Sequence, residues 1–119
     1  MAAQPLTYLI VEDSYYLSRD LQLQIEKIRT DLTPLVAEGA AEAMEIIRHD
    51  NIEFIITNST VSDGSAIDLF SDQGVDIPMI IYSPFKPETF TWNNLNIIDY
   101  LVLPIRFEQL KDTILKYNT

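Results

Sequence analysis

Cysteine is absent from the sequence, so neither a disulfide framework nor a thiolate metal site is available to this protein. That absence agrees with a cytoplasmic location, which we expect here. Basic residues are also scarce: eight lysines and arginines stand against 18 acidic residues, and the formal net charge is −10 at pH 7. Such a surface repels phosphate backbones and anionic lipid headgroups. We therefore expect no nucleic-acid or membrane binding by this domain alone, whereas protein partners with basic patches remain open.

Long apolar segments are missing as well. No apolar run approaches the roughly 20 residues that a membrane-spanning helix needs. The first residues, MAAQPLTYLIVED, carry no basic segment ahead of a short apolar run that ends in two acids, so they predict a first strand and not a secretory signal. The remaining composition, 47% hydrophobic and 22% charged, is typical of a globular protein. We expect the 119 residues to form one domain, residues 1–119.

Short apolar runs alternate with segments of helical periodicity along the chain. Each run is apolar at consecutive positions, which is typical of a strand buried on both faces of a parallel sheet. Ser14 is placed to cap the first helix. The predicted strands cover residues 8–11, 35–37, 54–57, 79–82 and 100–102, and the helical spacing falls within residues 17–28, 40–47, 67–70 and 107–117.

This alternation predicts an α/β fold. Right-handed crossovers make it a doubly wound five-stranded parallel sheet, in the flavodoxin-like order 2-1-3-4-5 with helices on both faces. The exception is SPFKPETFTWNNLN, residues 83–96, which carries two prolines and three asparagines where the alternation requires a fourth helix. We expect that helix to be short or irregular.

The ligand-binding edge of such a sheet lies beyond the carboxyl ends of its strands, where the strand order reverses. In this order the reversal lies between the first and third strands. Glu12 and Asp13 follow strand one and Asn58 follows strand three, so we expect them to face each other. Ser83 and Leu103 follow strands four and five, so we expect them at this same edge of the sheet, the rim.

The motifs at this rim resemble those of receiver domains of two-component response regulators, and the likeness covers nearly all of the chain. VEDS supplies an acidic pair after strand one. NSTVSDGSAIDL, residues 58–69, aligns without a gap on the family pattern of an acceptor aspartate, two residues, Leu/Met-Pro and Asp-Gly-x-Gly-Leu. Ser83 falls on the hydroxyl position after strand four. DYLVLP, residues 99–104, falls on the family motif DYLxKP and puts Tyr100 on the switch aromatic.

Two departures from the family pattern remove its chemistry. Asn58 stands at the position of the phosphoacceptor aspartate, and Leu103 at that of the lysine before the cis-proline. An amide oxygen shares its lone pair with the nitrogen, so Asn58 cannot form a useful acyl phosphate. Leu103 offers no positive charge to transferred phosphoryl oxygens. The sequence therefore predicts a degenerate pseudo-receiver that has no catalytic residues and is not an enzyme.

The resemblance also implies that part of a metal site is retained. Glu12 and Asp13 could supply two oxygen ligands for Mg²⁺, with the backbone carbonyl of Thr60 as a third. Because one anionic ligand is lost at Asn58, we expect at most weak Mg²⁺ binding and no other cofactor. The alternatives are a solvated acidic turn that caps the first helix, and at Asn58 a turn-forming amide bonded to its own backbone.

The expected function is phosphorylation-independent regulation through protein–protein contacts. Receiver domains dock partners through the face built from their fourth helix, fifth strand and fifth helix, and here that region contains Phe85, Phe90 and Trp92. Exposed aromatic side chains would suit an interface. The alternative for these aromatic residues is packing under a shortened loop. Without a phosphoryl group to respond to, Ser83 would form only a local hydrogen bond, and Tyr100 would be an aromatic residue in a fixed position. The partner could be another protein, a second copy in a homodimer, or an effector domain.

Two other functions remain open. The first is residual phosphotransfer to another acceptor such as Ser59, Thr60 or Asp63. The second is a role as the N-terminal input domain of a longer transcriptional regulator.

Overall fold

Five parallel strands form the central sheet of the computed structural model, which describes residues 6–86 and 94–117. Their order along the sheet is second, first, third, fourth and fifth, as predicted. A two-stranded antiparallel hairpin, which was not predicted, follows the third of them. The sheet strands are β1 (Leu6–Val11), β2 (Leu32–Ala37), β3 (Ile55–Asn58), β6 (Met79–Ser83) and β7 (Ile97–Val102), and the hairpin strands are β4 (Thr60–Val61) and β5 (Gly64–Ser65).

Four helices lie within the described residues: α1 (Tyr15–Ile28), α2 (Ala40–His49), α3 (Ala66–Asp72) and α4 (Phe107–Tyr117). The predicted cap of α1 is confirmed, since the Leu17 N–H donates to the Ser14 Oγ at 3.3 Å. The prediction of a short or irregular fourth helix falls mainly on residues 87–93, outside the described residues. The last sheet strand begins earlier than expected because Ile97 and Ile98 extend the apolar run that Asp99 interrupts in the sequence.

Both faces of the sheet are covered, which is why its strands are apolar at consecutive positions. In β1, Leu9 and Val11 enter the core cluster beneath α2 and α3, while Tyr8 and Ile10 enter the cluster beneath α1 and α4. Adjacent residues of a strand point to opposite faces, so one short run supplies both cores. The predicted fold class, a doubly wound parallel sheet with helices on both faces, is confirmed.

The hairpin docks on the N-terminus of α2 through a single carboxylate. The N–H groups of Ala40 and Ala41 donate to the two Asp63 carboxylate oxygens at 2.7 and 3.1 Å. Gly39 permits this approach, since a Cβ at that position would lie 2.9 Å from Asp63 Oδ2. The hydrogen bonds from Ala40 and then Ala41 lower the pKa of Asp63 below its usual 3.8. Asp63 therefore caps a helix and orders the loop after β3.

This cap makes a specific contribution to acid sensitivity. Because the pKa of Asp63 is lower in the folded chain than in the unfolded chain, its stabilisation is complete above the unfolded value of 3.8 and is lost as the pH falls through the folded value. We expect Asp63→Asn to lower the free energy of unfolding at pH 7, with the difference from the parent shrinking below pH 4. Urea titrations across this range measure it. Asp76→Asn, at an exposed carboxylate, is the control and should show no such trend.

Candidate functional site

A buried carboxylate lies at the carboxyl edge of the sheet, directly after β1. Glu12 is only 2% exposed, and its N–H is anchored to the Ala37 carbonyl at the end of β2. Glu12 Oε1 accepts hydrogen bonds from the Tyr82 hydroxyl at 2.6 Å and from the Asn58 amide nitrogen at 3.1 Å. Glu12 Oε2 accepts from the Ser14 N–H at 2.9 Å. Three protein donors thus satisfy this carboxylate, which is what a buried charge requires.

Asn58, at the end of β3, bridges this carboxylate to the loop that follows. Its Nδ2 donates to Glu12, and its Oδ1 accepts a long hydrogen bond from the Thr60 N–H at 3.4 Å. These two partners set the orientation of the amide, because a carboxylate needs a donor and an N–H needs an acceptor. The structure therefore brings Glu12 and Asn58 together, with the NH₂ group of Asn58 turned toward the acid.

Tyr82 is a site residue that sequence analysis missed. Its ring lies fully buried in the core cluster beneath α1 and α4, and it is the register partner of Asn58 across β3 and β6. Burial, and then the hydrogen bond to Glu12, raise the pKa of Tyr82 well above its usual value, so the hydroxyl stays protonated and acts as a donor. The sequence feature that could have indicated it is a polar-tipped tyrosine among the apolar residues of β6, one position before Ser83 at the rim.

The other predicted metal ligands, Asp13 and Thr60, add no further carboxylate contact to Glu12, although the Thr60 N–H donates to Asn58. Asp13 and Thr60 are exposed. Within residues 6–86 and 94–117 no group of three or more carboxylate, histidine or cysteine side chains could hold a metal ion. Mg²⁺ prefers an octahedral shell of oxygen ligands. Oε1 of Glu12 instead accepts from two donors and Oε2 from one, so the described residues present no preformed shell of oxygen ligands for this ion.

A second chain of hydrogen bonds runs along the rim from β6 to β7. The buried Ser83 Oγ accepts from the Phe85 N–H at 3.1 Å, and the Tyr100 hydroxyl donates to the Phe85 carbonyl at 2.6 Å. The backbone of Phe85 is thus held on both sides while its side chain is 59% exposed. Phe90 and Trp92, the other predicted interface aromatics, lie outside the described residues.

Leu103, at the position where the resemblance predicts a lysine, has an aliphatic side chain and contributes no charge. Its side chain is half-buried against the core cluster beneath α1 and α4, and its N–H donates to the Ser83 carbonyl at 2.9 Å. The following peptide bond, Leu103–Pro104, is cis. The rim therefore combines the hydrogen-bonded carboxylate of Glu12, the amide of Asn58 and the aliphatic side chain of Leu103.

The arrangement of the sheet and its helices is the fold found in solved receiver domains. No protein-family model matches the sequence, and no curated protein matches it either. Solved structures match over almost their whole length. A two-component response regulator from Clostridium difficile has a TM-score of 0.82 at 18% identity, covering 95% of each chain.

Other structural neighbours carry the same fold. A response regulator receiver domain (CheY-like) from Methylobacillus flagellatus has a TM-score of 0.80 at 15% identity, covering 96% of this chain and 99% of that one. The N-terminal domain of a response regulator/sensory box/GGDEF 3-domain protein from Carboxydothermus hydrogenoformans has a TM-score of 0.79 at 15% identity, covering 93% and 92%. At these identities the likeness shows the fold. None of the described helices combines the length and apolar character that crossing a membrane requires.

Proposed function

We propose that this chain is a pseudo-receiver, a regulatory protein-interaction module of the two-component response regulator type that works without aspartyl phosphorylation. Its receiver fold supports the response regulator part of the proposal. The observation that carries the rest is the amide of Asn58 at the acceptor position, hydrogen-bonded at one end to Glu12 and at the other to Thr60.

The chemistry of the rim opposes phosphoryl transfer. Transfer to a receiver needs a carboxylate nucleophile, and the Asn58 amide has neither the charge nor a free lone pair of that strength. Phosphoryl oxygens also need positive charge, which accounts for a large share of the catalysis of this reaction. Leu103 contributes only packing against the core. We infer that the scaffold serves docking and that no group on the rim takes a catalytic role.

The proposed docking surface is centred on Phe85. An exposed aromatic side chain with its backbone held by Ser83 and Tyr100 loses little conformational entropy on binding. Val102, 37% exposed on the edge strand β7, is a second exposed apolar side chain. Phe90 and Trp92, the other aromatic residues predicted for an interface from the resemblance, lie outside the described residues. The partner is a protein: another protein, a second copy in a homodimer, or an effector domain.

A phosphodonor assay tests this proposal. The unmodified chain is incubated with acetyl phosphate and Mg²⁺ beside Asn58→Asp/Leu103→Lys, and intact mass and hydroxylamine sensitivity report acyl phosphate. We expect no adduct on the unmodified chain and partial phosphorylation of the double variant, because a nucleophile and a cation are restored. Asn58→Ala/Leu103→Lys is the control, since it restores the charge without a nucleophile, and it should remain unlabelled.

The alternative of residual phosphotransfer has its own outcome in this assay. Of its candidate acceptors, Ser59 is 4% exposed, Asp63 is bonded to the N-terminus of α2, and Thr60 is exposed. A stable adduct on the unmodified chain, mapped to one of these three residues by peptide sequencing, would replace the proposed function with an atypical receiver.

A further inference from the structure

The rim contains a buried carboxylate that accepts hydrogen bonds from three uncharged protein donors. Tyr82 supplies the shortest of the three hydrogen bonds to Glu12, 2.6 Å, in the range of charge-assisted O–H···O⁻ bonds. Asn58 supplies the second and the Ser14 backbone the third. Each donor sits on a different segment, so the contact joins β6, β3 and the start of α1 around one acid.

We infer that the Tyr82 hydroxyl and the Asn58 amide take the place that a divalent cation would have on Oε1 of Glu12, and that Tyr82 is the residue that excludes the ion from this oxygen. An ion that ligated Oε1 would have to displace both donors. The Tyr82 ring cannot turn outward to find water, because it lies fully buried in the core cluster beneath α1 and α4. A displaced hydroxyl would then remain buried without a partner, which is unfavourable.

Because of this arrangement, restoring a carboxylate at position 58 would not by itself free Glu12 to bind a cation. Asn58→Asp restores a second carboxylate at the rim but leaves the Tyr82 hydroxyl on Glu12. The inference rests on the proposed function only in treating this rim as the counterpart of a receiver acidic site. It deepens that proposal by naming the side chain that makes the site independent of metal.

Isothermal titration with Mg²⁺ tests the role of Tyr82. Three variants are compared with the parent: Asn58→Asp, Asn58→Asp/Tyr82→Phe, and Asn58→Asp/Tyr8→Phe. We expect no Mg²⁺ binding to the parent and weak binding to Asn58→Asp. Removing the Tyr82 hydroxyl should tighten binding about tenfold, because the ion no longer displaces a hydrogen bond to a charged oxygen. Tyr8 is a similarly buried tyrosine in the N-terminal half of β1, whereas Glu12 follows the C-terminal end of that strand. The Asn58→Asp/Tyr8→Phe variant should therefore bind Mg²⁺ like Asn58→Asp alone.

A second measurement keeps the inference testable if a variant fails to fold. In the parent, the Tyr82 hydroxyl proton should give a slowly exchanging downfield ¹H resonance that millimolar Mg²⁺ does not move. Loss or shift of that resonance with Mg²⁺ would overturn the inference. So would equal Mg²⁺ affinity of Asn58→Asp with and without Tyr82, or an equal gain from Tyr8→Phe. Phosphorylation is not part of either readout, so these results are independent of the assay for the proposed function.

Discussion

Phe54→Ala is expected to lower the free energy of unfolding by about 3–5 kcal/mol. The Phe54 ring is fully buried immediately before β3. It stacks on Tyr8 at a centroid distance of 5.1 Å and contacts Tyr117, at the end of α4, at 5.2 Å. Removing it leaves a cavity between the sheet and α4, and both remaining rings lose their partner. Urea unfolding followed by circular dichroism measures the loss.

Phe85→Ala is the matched control for this prediction. The same atoms are removed, but Phe85 is 59% exposed and its two backbone hydrogen bonds survive the change. We expect its effect to stay within about 0.5 kcal/mol. Comparable losses for the two variants would contradict the assignment of Phe54 to the core and of Phe85 to a free surface. The same Phe85 variant should weaken any partner complex formed through that surface.

Glu12→Ala is expected to cost about 2–4 kcal/mol, although it removes an acid from a chain of net charge −10. Deleting the carboxylate leaves the Tyr82 hydroxyl, the Asn58 amide and the Ser14 N–H without their acceptor. Glu12→Gln keeps an acceptor oxygen and should lose less. Thermal and urea unfolding at neutral pH, without divalent cations, measure the difference.

The neighbouring acid provides the control. Asp13 is exposed, and Asp13→Ala should change stability by no more than about 0.5 kcal/mol. If Glu12 and Asp13 instead formed an acidic pair that awaits a cation, their mutual repulsion would destabilise the metal-free chain, and removing either would stabilise it. The sign of the Glu12 effect therefore separates a structural acid from a metal ligand.

The fold could be predicted from the sequence because its signals are local. Consecutive apolar residues such as Tyr8 to Val11 mark strands with two covered faces, and Ser14 marks the start of a helix. The β4–β5 hairpin was missed because two-residue strands carry too little periodicity to be recognised. What stabilises it is a contact between Asp63 and the first turn of α2, about 23 residues away in sequence.

The composition of the rim was likewise readable from the sequence. Parallel strands bring their carboxyl ends to one edge, so Glu12 and Asn58 were expected to meet once the strand order was known. The interaction that joins them to Tyr82 was not, because it links residues 70 positions apart and depends on the direction of a side chain. In the sequence Tyr82 is one more large residue in a buried strand.

The amino-acid sequence alone was enough to establish the receiver-like sheet and the identity of Asn58 and Leu103 at its edge, since periodicity and residue type are properties of neighbouring positions. Only the tertiary structure decided how the acid of that edge is satisfied. A buried carboxylate takes whichever donors the packing places within about 3 Å. Here β3, β6 and the N-cap residue of α1 supply the three donors, so the carboxylate is hydrogen-bonded within the chain itself.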